Sequence, residues 1–316
     1  MQFTLTDTNL PEIEADAVIG FVHDGGDDCT APTDWDGLTE GLARELAESG
    51  EFRAKHQSTA LIHRPAGMRS GRLLLVGCGT HAKASTVRLR EAASAGWRRL
   101  RTAGVRSLAT ALPNGMDRDD ALAAIVEGIS AADYEPDVHK TEDKQASALE
   151  RVVIACPNDA QAALNRAVAV AHGQRRAREL VNEPGNLLPP QELAAKTAAL
   201  AAEAGLECEV LDKSQLEELR MGALLGVSRA SVEPPVMIVL RYKPEAGTCD
   251  AAAHLGLVGK AVTFDTGGIS LKPAADMHLM KHDMAGGAAM IGTMLALASI
   301  RPSLPVTAVI PSVENM

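Results

Sequence analysis

Apolar residues fall into two recurring patterns along this chain, short continuous runs and longer stretches with helical spacing. Ala17–Val22 and Arg72–Gly77 are short runs closed by glycine or charge, and they predict buried strands. Leu38–Ser49 and Ser85–Ala103 show helical periodicity. Ala121–Ala132 adds another helix, with Asp119 and Asp120 placed to cap its start, and Arg151–Cys156 a further strand. Strand and helix in alternation predict an α/β layer structure. Glu135–Ala148 turns polar and charged, as a surface loop would.

Asn158–Val181 reads as one long helix, rich in Ala and Arg and opened by an Asn/Asp cap. Such a helix can join two domains, which places a boundary near residue 156 and divides the chain into domains 1–156 and 157–316. The stretch Asn182-Glu-Pro-Gly-Asn-Leu-Leu-Pro-Pro190 cannot be regular structure. Beyond it the pattern gives a helix over Gln191–Ala204 stopped by Gly205, a strand over Glu207–Leu211 and a short helix over Ser214–Arg220. Val236–Arg241, His254–Lys260 and Pro305–Ile310 read as strands, and Gly286–Ser299 as an Ala/Met-rich helix. The class is again α/β, with a sheet expected to be buried on both faces.

Composition narrows the function. The 316 residues suffice for two domains. With 46% hydrophobic but only 3% aromatic residues, the core must be built from Ala, Leu and Val and offers few surfaces for stacking bases. A net charge of −10 argues against a nucleic-acid partner, and Arg88, Arg90, Arg98, Arg99 and Arg101 read as a solvated helix face. Five scattered cysteines (Cys29, Cys78, Cys156, Cys208, Cys249) without a Cys-x-x-Cys pair fit free thiols in a reducing compartment. No basic-then-apolar leader and no run of about 18 apolar residues is evident, so the expectation is a cytoplasmic protein without a membrane span.

The unusual residues gather in one segment, Leu257-Val-Gly-Lys-Ala-Val-Thr-Phe-Asp-Thr-Gly-Gly-Ile-Ser-Leu-Lys-Pro273, continuing through Met280-Lys-His-Asp-Met-Ala-Gly-Gly287. One apolar run leads into Lys260 and a second into Asp265, and sites in open α/β sheets collect at strand ends. Taken singly, each residue has a plain role. Lys260 can end a strand at the surface, Asp265-Thr-Gly-Gly268 can be a turn, and Asp283 can cap the helix that follows. His278 and His282 have the i, i+4 spacing of a zinc pair, but no third donor completes that pattern and Pro273 argues against a helix there.

The combination is more specific. Lys260, Asp265, Lys272 and Asp283, with Asp265 leading into Thr-Gly-Gly, resemble the metal-site segment of the leucyl aminopeptidase (cytosol aminopeptidase) family. Asn182-Glu-Pro-Gly-Asn186, Met221-Gly-Ala-Leu-Leu225, Glu233-Pro-Pro235 and Pro311-Ser-Val-Glu-Asn-Met316 fall in the family's order. The resemblance is continuous from about Val168 to Met316. Over the first 150 residues it rests on the element pattern and Leu74-Leu-Val-Gly-Cys-Gly79, and implies a macrodomain-like N-terminal domain.

The resemblance implies a two-metal exopeptidase using Zn²⁺ or Mn²⁺, or Mg²⁺. Lys260, Asp265 and Asp283 would be metal ligands, Asp265 bridging both ions. Lys272 would stay charged and polarise the scissile carbonyl, and Met280 would line the pocket for the N-terminal side chain. Gly267 and Gly268 would let backbone pass close to the ions. Peptides with a free N-terminus, Leu-like residues first, are the implied substrates, and a homohexamer the implied assembly. His278 stands where relatives often carry an acidic residue.

The family's second signature, Asn-Thr-Asp-Ala-Glu-Gly-Arg-Leu, with its further Asp and Glu ligands and an Arg, is absent. The expectation is therefore an incomplete catalytic domain, belonging to a fragment or to an inactive short relative, that binds metal weakly and hydrolyses little. A rival reading is a nucleotide- or ADP-ribose-binding protein using glycine loops such as Gly77-Cys-Gly79.

Overall fold

The computed structural model describes residues 1–24, 32–144, 149–245 and 253–316. The chain divides into two compact units, Met1–Ala171 and His172–Met316. The division lies inside the long helix. The cause is packing: Leu164, Ala167 and Ala171 belong to the first unit's core, whereas Leu180 belongs to the second's.

The first unit contains β1 (Gln2–Thr6), β2 (Ala17–Asp24), α1 (Asp36–Thr39), α2 (Leu42–Glu48), β3 (Thr59–His63), β4 (Arg72–Thr80), α3 (Thr86–Arg101), β5 (Ser107–Ala111), α4 (Arg118–Asp133), β6 (Arg151–Ala155) and the start of α5 (Gln161–Asn182). Its six strands run in the order β1-β6-β5-β2-β4-β3. Every neighbouring pair is parallel except β3 with β4. Alternate residues of β2 serve different clusters: Ile19 and Phe21 pack with Leu89, Trp97, Leu122 and Ile125 from α3 and α4, whereas Val18 and Val22 pack with Trp35, Phe52 and Leu73. That burial on both faces is why β2 and β4 read as continuous apolar runs.

Two expectations are corrected here. Leu38–Ser49 is not one helix: Glu40 (φ 52°) and Gly41 (φ 85°) take left-handed conformations that end α1 and restart the chain as α2. The cap of α4 is Asp117, whose carboxylate accepts from the Asp119 and Asp120 amides. The polar stretch Glu135–Ala148 falls partly outside the described residues, as do Cys29 and Cys249. Cys78, Cys156 and Cys208 are free.

Asp16, just before β2, pins the start of β5. Its Oδ2 accepts from the Arg106 and Ser107 amides at 2.9 and 2.8 Å and from the Ser107 hydroxyl at 3.0 Å. Burial pushes this carboxyl up, but the hydrogen bonds and Arg72 outweigh it and hold it below the usual carboxylate range. A carboxyl depressed on folding adds stability that is present above its unfolded value and lost as pH falls through the folded one. Asp16→Ala is expected to cost about 2 kcal/mol near neutrality. Urea denaturation should show the gap to the parent closing as pH falls below about 4.

The second unit holds the rest of α5, α6 (Pro190–Ala204), β7 (Glu207–Leu211), α7 (Lys213–Glu218), α8 (Gly222–Val227), β8 (Val236–Tyr242), β9 (Leu255–Val258), β10 (Ala261–Asp265), α9 (Ala285–Ile300) and β11 (Val306–Asn315). The strand order is β10-β11-β8-β7. β11 runs antiparallel to β8, and pairs in parallel with β9 along its first half and with β10 along its second. The expected burial on both faces holds only for the middle of this sheet. Along β11, Val306, Ala308, Ile310 and Ser312 are buried and the residues between them half-buried, while β7 and β9 are largely exposed.

The strand expected over His254–Lys260 is present as β9, but shorter, Leu255–Val258. It ends before Gly259, where a Cβ would lie 2.5 Å from the Gly286 carbonyl. Met277–Ile300, which contains the expected helix Gly286–Ser299, is long and apolar enough, by length and composition, to cross a membrane. Here Ala288, Ile291, Met294 and Leu295 of α9 pack into the second unit's core.

Candidate active site

The chain enters the site along β10, whose last residue is Asp265, paired across the sheet with Asn315 of β11. Thr266 turns back toward β11: its amide and hydroxyl both donate to the Asn315 carbonyl, at 2.8 and 3.0 Å. Gly267 (φ 96°) and Gly268 (φ 68°) then take conformations that side-chain-bearing residues rarely adopt. Space excludes a side chain as well, since a Cβ on Gly267 would lie 2.4 Å from the Ser270 carbonyl. The turn closes when the Lys272 amide donates to the Thr266 carbonyl at 2.8 Å, which returns Lys272 to the end of β10.

Asp265 is therefore gripped on both oxygens. Its Oδ1 accepts from the Gly267 amide (2.9 Å) and from Asn315 Nδ2 (2.7 Å). Its Oδ2 lies 2.7 Å from Lys272 Nζ. Burial pushes this carboxyl up, but Lys272, the Gly267 amide, Asn315 and Asp283 together hold it down at about 2. The Lys272 ammonium also donates to the Asp265 carbonyl (3.1 Å) and touches the Met280 thioether (3.2 Å).

The second carboxylate comes from the 3-10 turn Met277–Met284 that leads into α9. Asp283 does not cap that helix, whose N-cap is Met284; its Oδ2 pairs with Lys260 Nζ at 2.7 Å. Lys260 sits between β9 and β10, where its carbonyl accepts from the Gly287 amide and so ties the start of α9 to the sheet. His278 and His282 are exposed, and among the described residues no group of three or more His, Cys, Asp or Glu side chains could hold a metal.

The structure thus joins Asp265, Lys272 and Met280 by direct contacts and pairs Lys260 with Asp283. The donor chemistry fits a divalent ion, with the Asp265 and Asp283 carboxylates and the Lys260 nitrogen, which a metal would bind in place of a proton; without metal each carboxylate pairs with a lysine. Asn315 lies in the Pro311–Met316 motif, but its contact with Asp265 is fixed by strand register and has no local signal in the sequence. Lys281, whose Nζ donates to the Asn182 carbonyl at 2.7 Å, was missed for the same kind of reason.

Fold and site together define a two-unit α/β protein whose second unit carries a lysine–carboxylate cluster at the end of an edge strand. Residues 18–143 match the N-terminal domain of the cytosol aminopeptidase family, and residues 175–316 match its catalytic domain. The chain belongs to that family.

Among curated relatives, the probable cytosol aminopeptidase of Solibacter usitatus is 44% identical over 316 residues, covering all of this chain and 63% of the relative. That of Acidobacterium capsulatum is 39% identical over 339 residues, with coverage of 100% and 65%. Among solved structures, a tomato leucine aminopeptidase mutant superposes with a TM-score of 0.84 at 27% identity, over 100% of this chain and 63% of that one. The bottromycin maturation enzyme BotP in complex with Mn superposes with a TM-score of 0.79 at 31% identity, over 96% and 60%. The chain thus spans about two thirds or less of the length of these proteins.

Proposed function

We propose that the protein serves as a metal-dependent aminopeptidase acting on peptides with a free N-terminus, Leu-like residues first, and that Lys260, Asp265 and Asp283 hold divalent ions. The observation that carries this reading is the contact of Lys272 with Asp265 and with Met280, inside the segment that matches the family's catalytic domain. Asp265 is the ligand that two ions would share. Mn²⁺ is favoured by the manganese complex of BotP, with Zn²⁺ or Mg²⁺ as alternatives. The ions would supply Lewis acidity and an acidified water.

This chain's own residues do the rest. Lys272 holds a positive charge where a peptide carbonyl would develop negative charge, Met280 offers an apolar, deformable wall to the first side chain, and Asn315 fixes the Asp265 carboxylate. A cytosolic homohexamer is part of the same proposal. With two acidic donors, residues 1–316 by themselves are expected to hold metal weakly and to hydrolyse slowly.

The test is Mn²⁺ titration calorimetry together with leucine p-nitroanilide hydrolysis, on residues 1–316 and on the product of the whole reading frame. Absence of both Mn²⁺ binding and hydrolysis in the whole product would sink the proposal. Lys272→Met separates the roles. Because Lys272 competes for Asp265 Oδ2, its removal is expected to keep or raise Mn²⁺ affinity while kcat falls about a hundredfold. Parallel loss of affinity and rate would instead make Lys272 a structural residue.

A further inference from the structure

The loop Asn182–Leu187 ends α5 and carries the Asn-Glu-Pro-Gly-Asn motif, which none of the site residues named above includes. Its contacts reach both segments that carry the acidic residues. The Asn182 carbonyl is the last of α5, and Lys281 Nζ donates to it at 2.7 Å. An ammonium at a helix C-terminus is also favoured by the helix dipole. Lys281 stands between Met280 and Asp283, so this bond holds the 3-10 turn to the end of α5. Three residues further on, Gly185 lies against Phe264, the neighbour of Asp265: a Cβ there would come within 3.0 Å of the Phe264 ring.

The loop's own footing is firm. Leu180 before it and Leu188 after it are core residues, Glu183 pairs with Lys196 of α6 at 3.2 Å, and the Leu187 amide closes a turn on the Pro184 carbonyl. We infer that this loop is a brace for the metal site, with Lys281 and Gly185 as positioning residues that fix the spacing between the Asp265 and Asp283 carboxylates. Neither is one of the proposed metal ligands. Groups that orient ligands in this way change metal affinity without altering the donors themselves.

The inference rests on the metal-site reading above, and its test separates the two. Three variants of the full chain, Lys281→Met, Lys281→Arg and Gly185→Ala, are compared with the parent by Mn²⁺ calorimetry, thermal melting and amide hydrogen exchange. Lys281→Met is expected to bind Mn²⁺ about tenfold more weakly, with a parent-like melt and faster exchange confined to residues 277–284. Lys281→Arg, which keeps a donor cation, should restore affinity and protection. Gly185→Ala should weaken Mn²⁺ binding through Phe264 while leaving exchange in 277–284 unchanged.

Parent-like Mn²⁺ affinity in Lys281→Met overturns the brace. If the parent itself binds no Mn²⁺, the metal reading fails, and exchange alone decides the brace: unchanged protection of 277–284 in Lys281→Met overturns it. If Lys281→Met melts well below the parent, the decision passes to Gly185→Ala and Lys281→Arg, measured in the same way.

Discussion

Replacing Asp265 with Asn is expected to lower Mn²⁺ affinity about a thousandfold while leaving the fold intact. The carboxylate is the one group in the site whose two oxygens both meet strong donors, and it is the ligand that two ions would share. Asn at this position keeps an oxygen for the Gly267 amide and the Asn315 side chain, so the turn and the β10–β11 pairing retain their hydrogen bonds. It loses the charge, and it points an NH₂ group at the Lys272 ammonium. Losing several kcal/mol of metal interaction is a drop of about a thousandfold in Mn²⁺ affinity. Hydrolysis of leucine p-nitroanilide by the whole product should fall by at least the same factor.

Asp265→Ala is the contrasting case, because it also strips the acceptor from Gly267 and Asn315 and is expected to lower the melting temperature. An Asp265→Asn protein that still binds Mn²⁺ like the parent would remove this residue from the metal site. The two variants together distinguish a ligand from a structural acceptor.

How far the chain could be read in advance depended on where its information lies. The strands flanked by cover on both faces, β2 and β4, were legible because their apolar runs are continuous. The edge strands β1 and β3 were not, since Gln2–Thr6 and Thr59–His63 mix polar and apolar residues and bury little. β5 is short and small-sided, and its burial comes from neighbours that no local pattern announces. The candidate residues Lys260, Asp265, Lys272 and Asp283 lie within one short stretch, so a motif could present them together. Asn315 meets Asp265 across 50 residues, and Lys281 meets Asn182 across 99. Both contacts depend on strand register and helix docking, which composition and periodicity do not encode. Gly259 shows the same limit from the other side: it reads as part of a strand but lies just past the end of one, where α9 comes too close for a side chain.

That close approach of α9 leads to the second large effect. Gly292→Val is expected to destabilise the second unit by about 3 kcal/mol. Gly292 on α9 and Gly173 on α5 face each other, and a Cβ on either would lie 2.3 Å from the other's carbonyl oxygen. Helices this close have no room for side chains between them. A valine must push them apart or distort one, and interiors packed at crystal density offer little slack.

The push would not stay local. The start of α9 presses Gly287 against Ala261 and Ile310 and is hydrogen-bonded to the Lys260 carbonyl, so displacing α9 moves the backbone that carries Lys260 and Asp283. Urea denaturation should therefore show a lower midpoint for the second unit, and Mn²⁺ affinity should fall with it. Gly222→Ala is the control: it opens α8, nothing lies within 4 Å of its added methyl, and its midpoint should match the parent's. Equal midpoints for Gly292→Val and the parent would mean that α5 and α9 do not cross as closely as described.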